Sequence, residues 1–474
     1  MITLSEIIQA LTNKTIRSYD LPITEAVIDS RKAIPGSLFI ALPGEQTDGH
    51  QYINCAFKRG ANFALISKDL PADEYRILDI RNMKETKALK IPSMPFCIRV
   101  DDSLKAMQNI ARYWRKKLPI RVIGITGSVG KSSTKELTAE VLSQKYHTYK
   151  NPGNYNNEIG LPLSILNLGN GYERLILEMG FYYSGEITFL CDISSPEVGV
   201  ITNIGTVHAE RAGSQQVIAE GKSELIISLP EKPQGTAILN YDDPYVRAMA
   251  EKTSADILFY GLNPLADLWA DDIQGQGLKG IRFRMHYQGK SAILDVPMLG
   301  RHSVQTILRA SAVGFTEGLS IEEITEGLVN SNLQLRLVAV RTESGALILD
   351  DTYNATPEST IAALDLLNEL SGQKIAVLGD MLELGQYEDI GHEYVGQRAA
   401  EVVNYLITVG PRGRTIAETA KKKGLPPTAV ACVDDATAAA ELLRYNLKNG
   451  DVVLIKGSHG LRMDRISSIL EAGK

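Results

Sequence analysis

The segment from Arg121 to Ser133 constrains the fold of this chain more than any other. Arg121–Thr126 is a short, apolar, β-branched run that predicts a strand, and a glycine-rich loop and a helical pattern from Lys131 follow it. A strand that leads through such a loop into a helix is typical of α/β proteins with a mainly parallel sheet. Parallel strands are covered on both faces, which explains why the apolar run is continuous rather than alternating.

The glycine loop itself predicts a site for a nucleoside triphosphate. It reads Gly124-Ile-Thr-Gly127-Ser-Val-Gly130-Lys131-Ser132-Ser133. Backbone N–H groups of such a turn point at an anion, and the following helix adds the positive end of its dipole. The strict phosphate-loop pattern fails because Ile125 stands where its first glycine belongs, so this is a variant loop or a tight strand–helix turn with an incidental lysine. The predicted ATP-binding residues of the loop are Gly127, Ser128, Val129, Gly130, Lys131, Ser132 and Ser133.

The order of strand-like and helical runs predicts an α/β fold with three domains. Residues 1–98 form a small mixed α/β N-terminal domain, and residues 99–332 form a central phosphate-loop ATPase domain with a mainly parallel sheet. Residues 333–474 form a C-terminal Rossmann-like domain. Within the central domain a helix is predicted from Ser103, as N-cap, to about Lys117, and residues 267–298 alternate as in an antiparallel insertion.

The C-terminal region has the pattern of a doubly wound sheet. It lacks the Gly-x-Gly-x-x-Gly motif, so a dinucleotide site is not indicated. Its strand-like runs, each followed by a helical stretch, are 346–350, 374–378, 405–409, 429–433 and 452–455.

Composition excludes several other classes of protein. The 474 residues carry a net charge of −6, whereas a general nucleic-acid binder is usually basic. The 4 cysteines form no Cys-x-x-Cys pair, which argues against a zinc site or a disulfide framework and predicts reduced, mostly buried thiols. Neither a signal peptide nor an apolar membrane span is present in the sequence, so we expect a cytoplasmic protein, and a monomer.

The variant loop resembles that of the Mur ligases, which use ATP to join an amino acid or a peptide to a carboxylate. The resemblance covers essentially the whole chain. Two stretches, Asn-Asn-Glu-Ile-Gly at 156–160 and Gly-Asp-Met-Leu-Glu-Leu-Gly at 379–385, point to the members that add D-alanyl-D-alanine to UDP-N-acetylmuramoyl-tripeptide. A ligase with a different acceptor and a non-catalytic nucleotide-binding scaffold are the alternatives. Further matching segments are 29–31, 35–41, 177–180, 203–208, 350–357 and 456–458.

The resemblance also implies the catalytic residues. ATP would convert the substrate carboxylate to an acyl phosphate, with Lys131, Glu178, His208 and Lys222 as the catalytic set. Two Mg²⁺ ions would be held by Ser132, Glu178, His208 and Lys222, the last as a carbamylated lysine. Glu178 also ends an apolar run, and a carboxylate at the C-terminal end of a parallel strand lies on the ligand side of the sheet. Without the resemblance, Glu178 could be a surface glutamate, His208 a structural histidine and Lys222 an exposed helical lysine.

The remaining site residues are assigned in the same way. The resemblance places Arg336 and Asp351 at ATP and Ser30 and Arg31 at the uridine-linked substrate, and it places the other predicted contacts along the substrates in the closed site. Turn-forming asparagines and a solvated arginine are the alternatives, and Asp380 and Glu383 either brace a loop or touch substrate. The predicted substrate-binding residues are Ser30, Arg31, Asn156, Asn157, Tyr353, Asn354 and Lys456.

The chain departs from the family pattern at three positions. Ser303 and Thr306 stand where the family usually has asparagines, so contacts to the adenine are altered if these residues face it. His459 stands where arginine is commoner, which puts one anion contact in doubt.

Overall fold

A computed structural model of the chain describes residues 1–15, 21–44, 47–81, 91–206, 209–330 and 338–471. The described chain is α/β throughout and contains three sheets, which confirms the predicted fold class. Domain boundaries at residues 98 and 332 remain a prediction. By internal contacts the chain divides into two compact units. The first is Met1–Gly124, Tyr146–Phe181 and Gly185–Val198, and the second is Ile125–Lys145, Tyr182–Ser184 and Gly199–Lys474.

The first sheet lies wholly in the first unit. Its strands are β1 (Ala26–Val27), β2 (Leu38–Ile40), β3 (Phe63–Ile66), β4 (Ile77–Asp79) and β5 (Phe96–Arg99), and its helices are α1 (Leu4–Thr12), α2 (Ile53–Lys58) and α3 (Ser103–Lys117). In the part of the chain that the structure describes, the strand order is β1-β2-β3-β5-β4 and the pairs are parallel. Continuous burial of β3 and β5 fits a parallel sheet that is covered on both faces.

The second sheet carries the phosphate loop between β6 (Arg121–Thr126) and α4 (Lys131–Leu142). Both elements agree with the predicted bounds. Across the described ranges the strand order is β14-β13-β12-β11-β10-β9-β6-β8-β7. The further elements are β7 (Thr148–Lys150), α5 (Gly160–Leu166), β8 (Arg174–Glu178), α6 (Glu186–Ser194), β9 (Val198–Ile201), α7 (Ala209–Ala212), α8 (Gln215–Ile227), β10 (Thr236–Asn240), α9 (Pro244–Ala248), β11 (Asp256–Gly261), β12 (Leu268–Gly275), β13 (Ile281–Tyr287), β14 (Lys290–Val296), α10 (Ser303–Thr316) and α11 (Ile321–Val329).

Strands β12, β13 and β14 pair antiparallel at the edge of this sheet, as predicted for residues 267–298. Buried and more exposed side chains alternate along β13, which is the pattern of a sheet with one face against the core and one toward solvent.

The third sheet is the doubly wound one, and its five predicted strands are confirmed. Its elements are β15 (Val338–Arg341), β16 (Leu347–Asp351), α12 (Pro357–Glu369), β17 (Lys374–Gly379), α13 (Glu388–Val402), β18 (Tyr405–Val409), α14 (Gly413–Lys422), β19 (Val430–Val433), α15 (Ala436–Asn446), β20 (Val452–Lys456) and α16 (Asp464–Glu471). For the residues described, the strand order is β15-β16-β20-β17-β18-β19. Alternate residues of β17 enter apolar clusters on opposite faces, so the sheet is covered on both sides.

Three sequence expectations need correction. Asp102 rather than Ser103 is the N-cap of α3, because its carboxylate accepts the N–H groups of Leu104 and Lys105 while Ser103 is already helical. Strand β15 is an antiparallel edge strand that the sequence pattern does not predict. The thiols are free, but Cys55 and Cys432 are exposed, since they lie on surface positions of α2 and β19. Among the described residues, no helix has the length and apolar character that a membrane crossing requires.

Candidate active site

The phosphate loop joins β6 to α4 and is shaped by two glycines in the left-handed region. Gly127 has a φ of +144° and Gly130 a φ of +85°, which L side chains rarely adopt. Gly130 is the N-cap of α4 and, as a glycine, makes no side-chain capping hydrogen bond. The N–H groups of the first turn and the positive end of the helix dipole suit a bound phosphate.

The segment that follows β9 fixes the loop. The Asn203 carbonyl oxygen accepts the N–H of Ser128 at 2.9 Å, and Asn203 Oδ1 accepts the N–H of Val129 at 3.0 Å. A Cβ added to Gly127 would lie 1.8 Å from Oγ1 of Thr202, so the loop can pass this strand end only with glycine there. Glycine at position 127 of the variant motif is therefore required by packing against Thr202 at the C-terminal end of β9.

Two lysines from different helices meet at this loop. Lys131, the first residue of α4, donates from Nζ to the carbonyl oxygen of Gly127 at 2.9 Å. Lys222 on α8 donates from Nζ to the same oxygen at 3.0 Å. The Lys222 side chain is buried, which excludes the alternative of an exposed helical lysine. Burial, and then the charge of Lys131, lower the pKa of Lys222 well below its ordinary value.

Glu178 is the last residue of β8 and is buried in the first unit. Asn156 donates from Nδ2 to Glu178 Oε1 at 2.8 Å. The side-chain amide of Asn151 donates from Nδ2 to the Glu178 carbonyl oxygen and accepts the Glu178 N–H at Oδ1. Asn157 accepts the N–H of Gly160 at 2.9 Å and so fixes the start of α5. Asn156 thus orients the carboxylate and Asn157 stabilises the turn before α5, while the contacts of both residues to substrate remain a prediction.

The predicted metal ligands differ in how well their donor atoms suit Mg²⁺. Ser132, in the first turn of α4, offers a hydroxyl, and Glu178 offers a carboxylate. Lys222 offers no oxygen unless it is modified. His208 lies outside the described residues. Among the residues that are described, no group of three or more His, Cys, Asp and Glu side chains could hold a metal ion. The metal assignment therefore remains a prediction.

The predicted nucleotide-sugar contacts near the N-terminus lie in a short turn between β1 and β2. Ser30 is buried, whereas the Arg31 side chain is 88% exposed and forms an ion pair of 2.9 Å with Asp29. Hydrogen bonds from Arg31 lower the pKa of Asp29 to about 2. Arg31 is thus held at the surface by its neighbour, with its fork of donors in solvent.

Asp351 and Lys456 face each other at the C-terminal ends of β16 and β20, where the parallel register pairs them. Lys456 Nζ donates to Asp351 Oδ2 at 2.6 Å and to the carbonyl oxygen of Asn354 at 2.9 Å. Tyr353 is exposed beside them. Arg336 lies outside the described residues.

Comparison with known proteins decides the family. Three family models match the chain: "Mur ligase family, catalytic domain" over residues 22–115, "Mur ligase middle domain" over 125–314 and "Mur ligase, glutamate ligase domain" over 335–459. A Bacillus subtilis (strain 168) protein named "UDP-N-acetylmuramoyl-tripeptide--D-alanyl-D-alanine ligase" is 35% identical over 442 residues, which cover 92% of this chain and 91% of the relative. The chain belongs to the Mur ligase family.

Solved Mur ligase structures agree with this assignment. A structure titled "Crystal structure I of MurF from Acinetobacter baumannii" matches with a TM-score of 0.83 and 27% identity over 99% of both chains. The MurF ligase of Thermotoga maritima in complex with ADP matches with a TM-score of 0.80 and 28% identity, over 96% of this chain and 98% of that one. The predicted family and the three-domain α/β fold are thereby confirmed.

Two of the three departures from the Mur ligase pattern have buried side chains. Ser303 and Thr306 are both buried on α10. Ser303 Oγ donates to the Leu299 carbonyl oxygen at 2.6 Å, and Thr306 Oγ1 accepts from Arg309 Nη2 at 2.8 Å. Both hydroxyls are thus used within the protein. His459 is exposed at the end of β20.

Sequence reasoning missed two residues that shape this Mur ligase site. Thr202 was read as part of a strand, and its contact with Gly127 depends on a strand pairing that no local pattern encodes. Arg309 was overlooked, although a charged residue between apolar neighbours in the helical run Ile307-Leu308-Arg309-Ala310 is a signal of a buried cation.

Proposed function

We propose that this chain is the ATP-dependent ligase that adds D-alanyl-D-alanine to UDP-N-acetylmuramoyl-tripeptide in the synthesis of the peptidoglycan precursor. The observation that carries the proposal is the pair Lys131 and Lys222 on one carbonyl of a phosphate loop, in a Mur ligase chain. The relative from Bacillus subtilis bears the name of this activity at 35% identity.

The reaction has two steps that conserve atoms and charge. A carboxylate oxygen of the tripeptide attacks the γ-phosphorus of ATP, the bond to the bridging oxygen breaks, and ADP leaves. The amine of D-alanyl-D-alanine then attacks the carbonyl carbon of the acyl phosphate, the carbon–oxygen bond to phosphate breaks, and the amine releases its proton. Both steps bring anions together, so the protein acts mainly through position and charge.

The phosphate loop supplies much of that charge. Backbone N–H groups at the start of α4 would bind the phosphates of ATP, and Lys131 would turn from the Gly127 carbonyl to the β- and γ-phosphate oxygens. Ser128, Val129, Ser132 and Ser133 would line the same turn. Asp351, at the C-terminal end of β16, and Arg336 complete the proposed nucleotide contacts, and Lys456 beside Asp351 is proposed as a substrate contact.

Mg²⁺, when bound, would neutralise phosphate charge and polarise the transferred phosphoryl group. The residues that we propose to hold it are Ser132, Glu178, His208 and a carbamylated Lys222. Glu178 fits this role by its burial and by the amide of Asn156, which fixes Oε1 and leaves the carboxylate oriented.

Carbamylation of Lys222 has a chemical basis in the site. An amine attacks CO₂ only in its neutral form, and the pKa of Lys222 is lowered well below the ordinary lysine value by burial and by Lys131. The product is a carboxylate-like group beside the ammonium of Lys131. A lysine at this place would thereby become an oxygen ligand and remove the repulsion between two cations.

We further propose that Ser30 and Arg31 contact the UDP-linked substrate and that Tyr353 and Asn354 contact the peptide. Arg31 suits a diphosphate because its guanidinium is exposed and presents several donors in one plane. Because the reaction consumes ATP and a UDP-linked precursor, we place it in the cytoplasm, and we propose a monomer.

An omission assay tests the proposed function. Phosphate release is measured with ATP, Mg²⁺, UDP-N-acetylmuramoyl-tripeptide and D-alanyl-D-alanine, leaving out each in turn. Full turnover should require all four, and Lys131→Ala should abolish it while Lys116→Ala, an exposed lysine on α3, should not. Phosphate release that does not depend on D-alanyl-D-alanine would contradict the proposal, and turnover that appears only when another amino acid or peptide is supplied would indicate a Mur ligase with a different acceptor. No turnover with any acceptor would favour a nucleotide-binding scaffold.

A further inference from the structure

Arg309 is a buried cation that the proposed mechanism does not use. It lies on α10 and is 4% exposed. Its Nε donates to Thr134 Oγ1 at 2.8 Å and its Nη2 donates to Thr306 Oγ1 at 2.8 Å. The guanidinium carbon lies 5.8 Å from the centre of the Tyr260 ring. Its partners therefore provide oxygen lone pairs and an aromatic face, which are neutral.

The guanidinium also contacts the phosphate loop from within the protein. A Cβ added to Gly130 would lie 2.8 Å from Nη2 of Arg309, so the loop glycine packs directly on this side chain. Thr134, which accepts from Arg309, donates in turn to the Gly130 carbonyl oxygen at 2.7 Å. One side chain thus holds both the N-cap and the first turn of α4.

The described part of the chain offers the charge of Arg309 no carboxylate partner. Among the residues that the structure describes, no carboxylate forms an ion pair with Arg309. A buried guanidinium is costly unless an anion compensates it. The anion that would come to this loop is the phosphate chain of the nucleotide, on the other side of Gly130.

We propose, on the basis of the function proposed above, that Arg309 is a positioning residue whose charge beneath Gly130 is completed by the phosphates of ATP. In the nucleotide-free protein, burial of this guanidinium without an anion raises the free energy of the folded state. Binding of the nucleotide phosphates lowers it again. Arg309 therefore favours ligands in proportion to their phosphate charge, and its hydrogen bond through Thr134 keeps the loop in the shape that binds them. Thr306, in place of the asparagine usual in the family, is the second acceptor that holds this guanidinium.

Two measurements on Arg309→Met separate this role from a structural one. The dissociation constants of ATP, ADP and AMP are measured without the peptide substrates, and thermal unfolding is followed without nucleotide. We expect ATP affinity to fall roughly tenfold because a positive charge next to the loop is lost, with a smaller loss for ADP and the smallest for AMP, which carry less phosphate charge. The nucleotide-free variant should melt no lower than the wild type, since an unpaired buried charge has been removed.

Arg309→Lys and Arg444→Met serve as controls. Lysine keeps the charge, so ATP affinity should stay within about threefold of the wild type. Arg444 lies exposed on α15, and its loss should change neither measurement. Equal losses for the three nucleotides, a lysine variant as weak as the methionine variant, or a methionine variant that melts lower or does not fold would each overturn the proposal. The ligation assay on the wild type is independent: a wild type that binds ATP without ligating refutes the proposed function, not the role of Arg309.

Discussion

Lys131 and Lys222 donate hydrogen bonds to the same acceptor, the carbonyl oxygen of Gly127, at 2.9 and 3.0 Å. They come from the first turn of α4 and from the middle of α8, so the fold brings together two cations that are far apart in the sequence. Burial of Lys222, and then the charge of Lys131, disfavour the charged form of Lys222 and lower its pKa. An anion bound at this loop would offset both effects.

The lowered pKa of Lys222 predicts a pH dependence of stability. Below the depressed folded pKa, the folded protein must bury a charged ammonium, and stability is lowest. As the pH rises toward the unfolded value of about 10.4, the folded state loses its proton first, and stability increases by at most about 1.4 kcal/mol per pH unit. The wild type and Lys222→Met are unfolded with urea at pH 7, 8 and 9 in CO₂-free buffer. The free energy of unfolding of the wild type should increase with pH relative to that of the variant.

The matching activity measurement is the rescue of a Lys222 variant by a short carboxylic acid. Lys222→Met should lose ligation, because it cannot form a carbamate, and a short carboxylic acid added to Lys222→Ala should restore part of it. A constant difference in unfolding free energy between wild type and Lys222→Met from pH 7 to 9 would contradict the assigned pKa direction.

Gly127→Ala should abolish ATP binding. The new Cβ would lie 1.8 Å from Thr202 Oγ1, and the φ of +144° is strained for alanine. The loop must then move away from β9. Isothermal titration with ATP should show a loss of affinity of at least about 100-fold, since the strain and the clash both move the loop out of the shape that would bind phosphate. Gly169→Ala is the control, because nothing lies within 4 Å of its Cβ position and its affinity should be unchanged.

The pair Asp351–Lys456 should behave as a coupled, buried ion pair. Lys456 is 2% and Asp351 16% exposed at the side chain, and the Nζ–Oδ2 distance is 2.6 Å. Lys456→Met alone should destabilise the protein by about 3–5 kcal/mol, because it leaves a partly buried carboxylate unpaired. Asp351→Leu combined with Lys456→Met should cost less than the sum of the single changes. Additive free energies in urea unfolding would show that the pair is not coupled.

Asp380 should act as a brace of the loop after β17 rather than as a substrate ligand. It is 2% exposed, and its Oδ1 accepts the N–H of Gly413 at 2.7 Å. Asp380→Asn should lower the free energy of unfolding by about 1–3 kcal/mol and leave the KM of each substrate within about twofold. The exposed Asp389→Asn is its control. A large increase in the KM of one substrate at unchanged stability would assign Asp380 to the substrate instead.

The local parts of this structure could be predicted from the sequence. The strand Arg121–Thr126, the helix from Lys131 and the five strands of the third sheet follow from apolar runs and glycine loops, which are short-range signals. The edge strand β15 is short and half-buried, so its apolar pattern is weak. The N-cap at Asp102 differs by one residue from the prediction, since both Asp102 and Ser103 can cap a helix.

The site could be predicted only where a motif or the family resemblance reached. Lys222 was assigned by resemblance, and its burial and its shared acceptor with Lys131 required the structure. The contacts of Thr202 and Arg309 could not be predicted from the sequence, because they join β9 to the loop and α10 to α4 across long sequence separations. His208 and Arg336 lie outside the described residues, so their roles remain predictions.

Transfer of oxygen from the substrate carboxylate to phosphate tests the central claim most directly. UDP-N-acetylmuramoyl-tripeptide is labelled with ¹⁸O in its terminal carboxylate and incubated with the enzyme, ATP, Mg²⁺ and D-alanyl-D-alanine. If the carboxylate attacks the γ-phosphorus, one ¹⁸O atom should appear in each phosphate released, and one should remain in the amide product. Phosphate without label, released at the rate of ligation, would contradict the acyl-phosphate route and with it the role assigned to the phosphate loop.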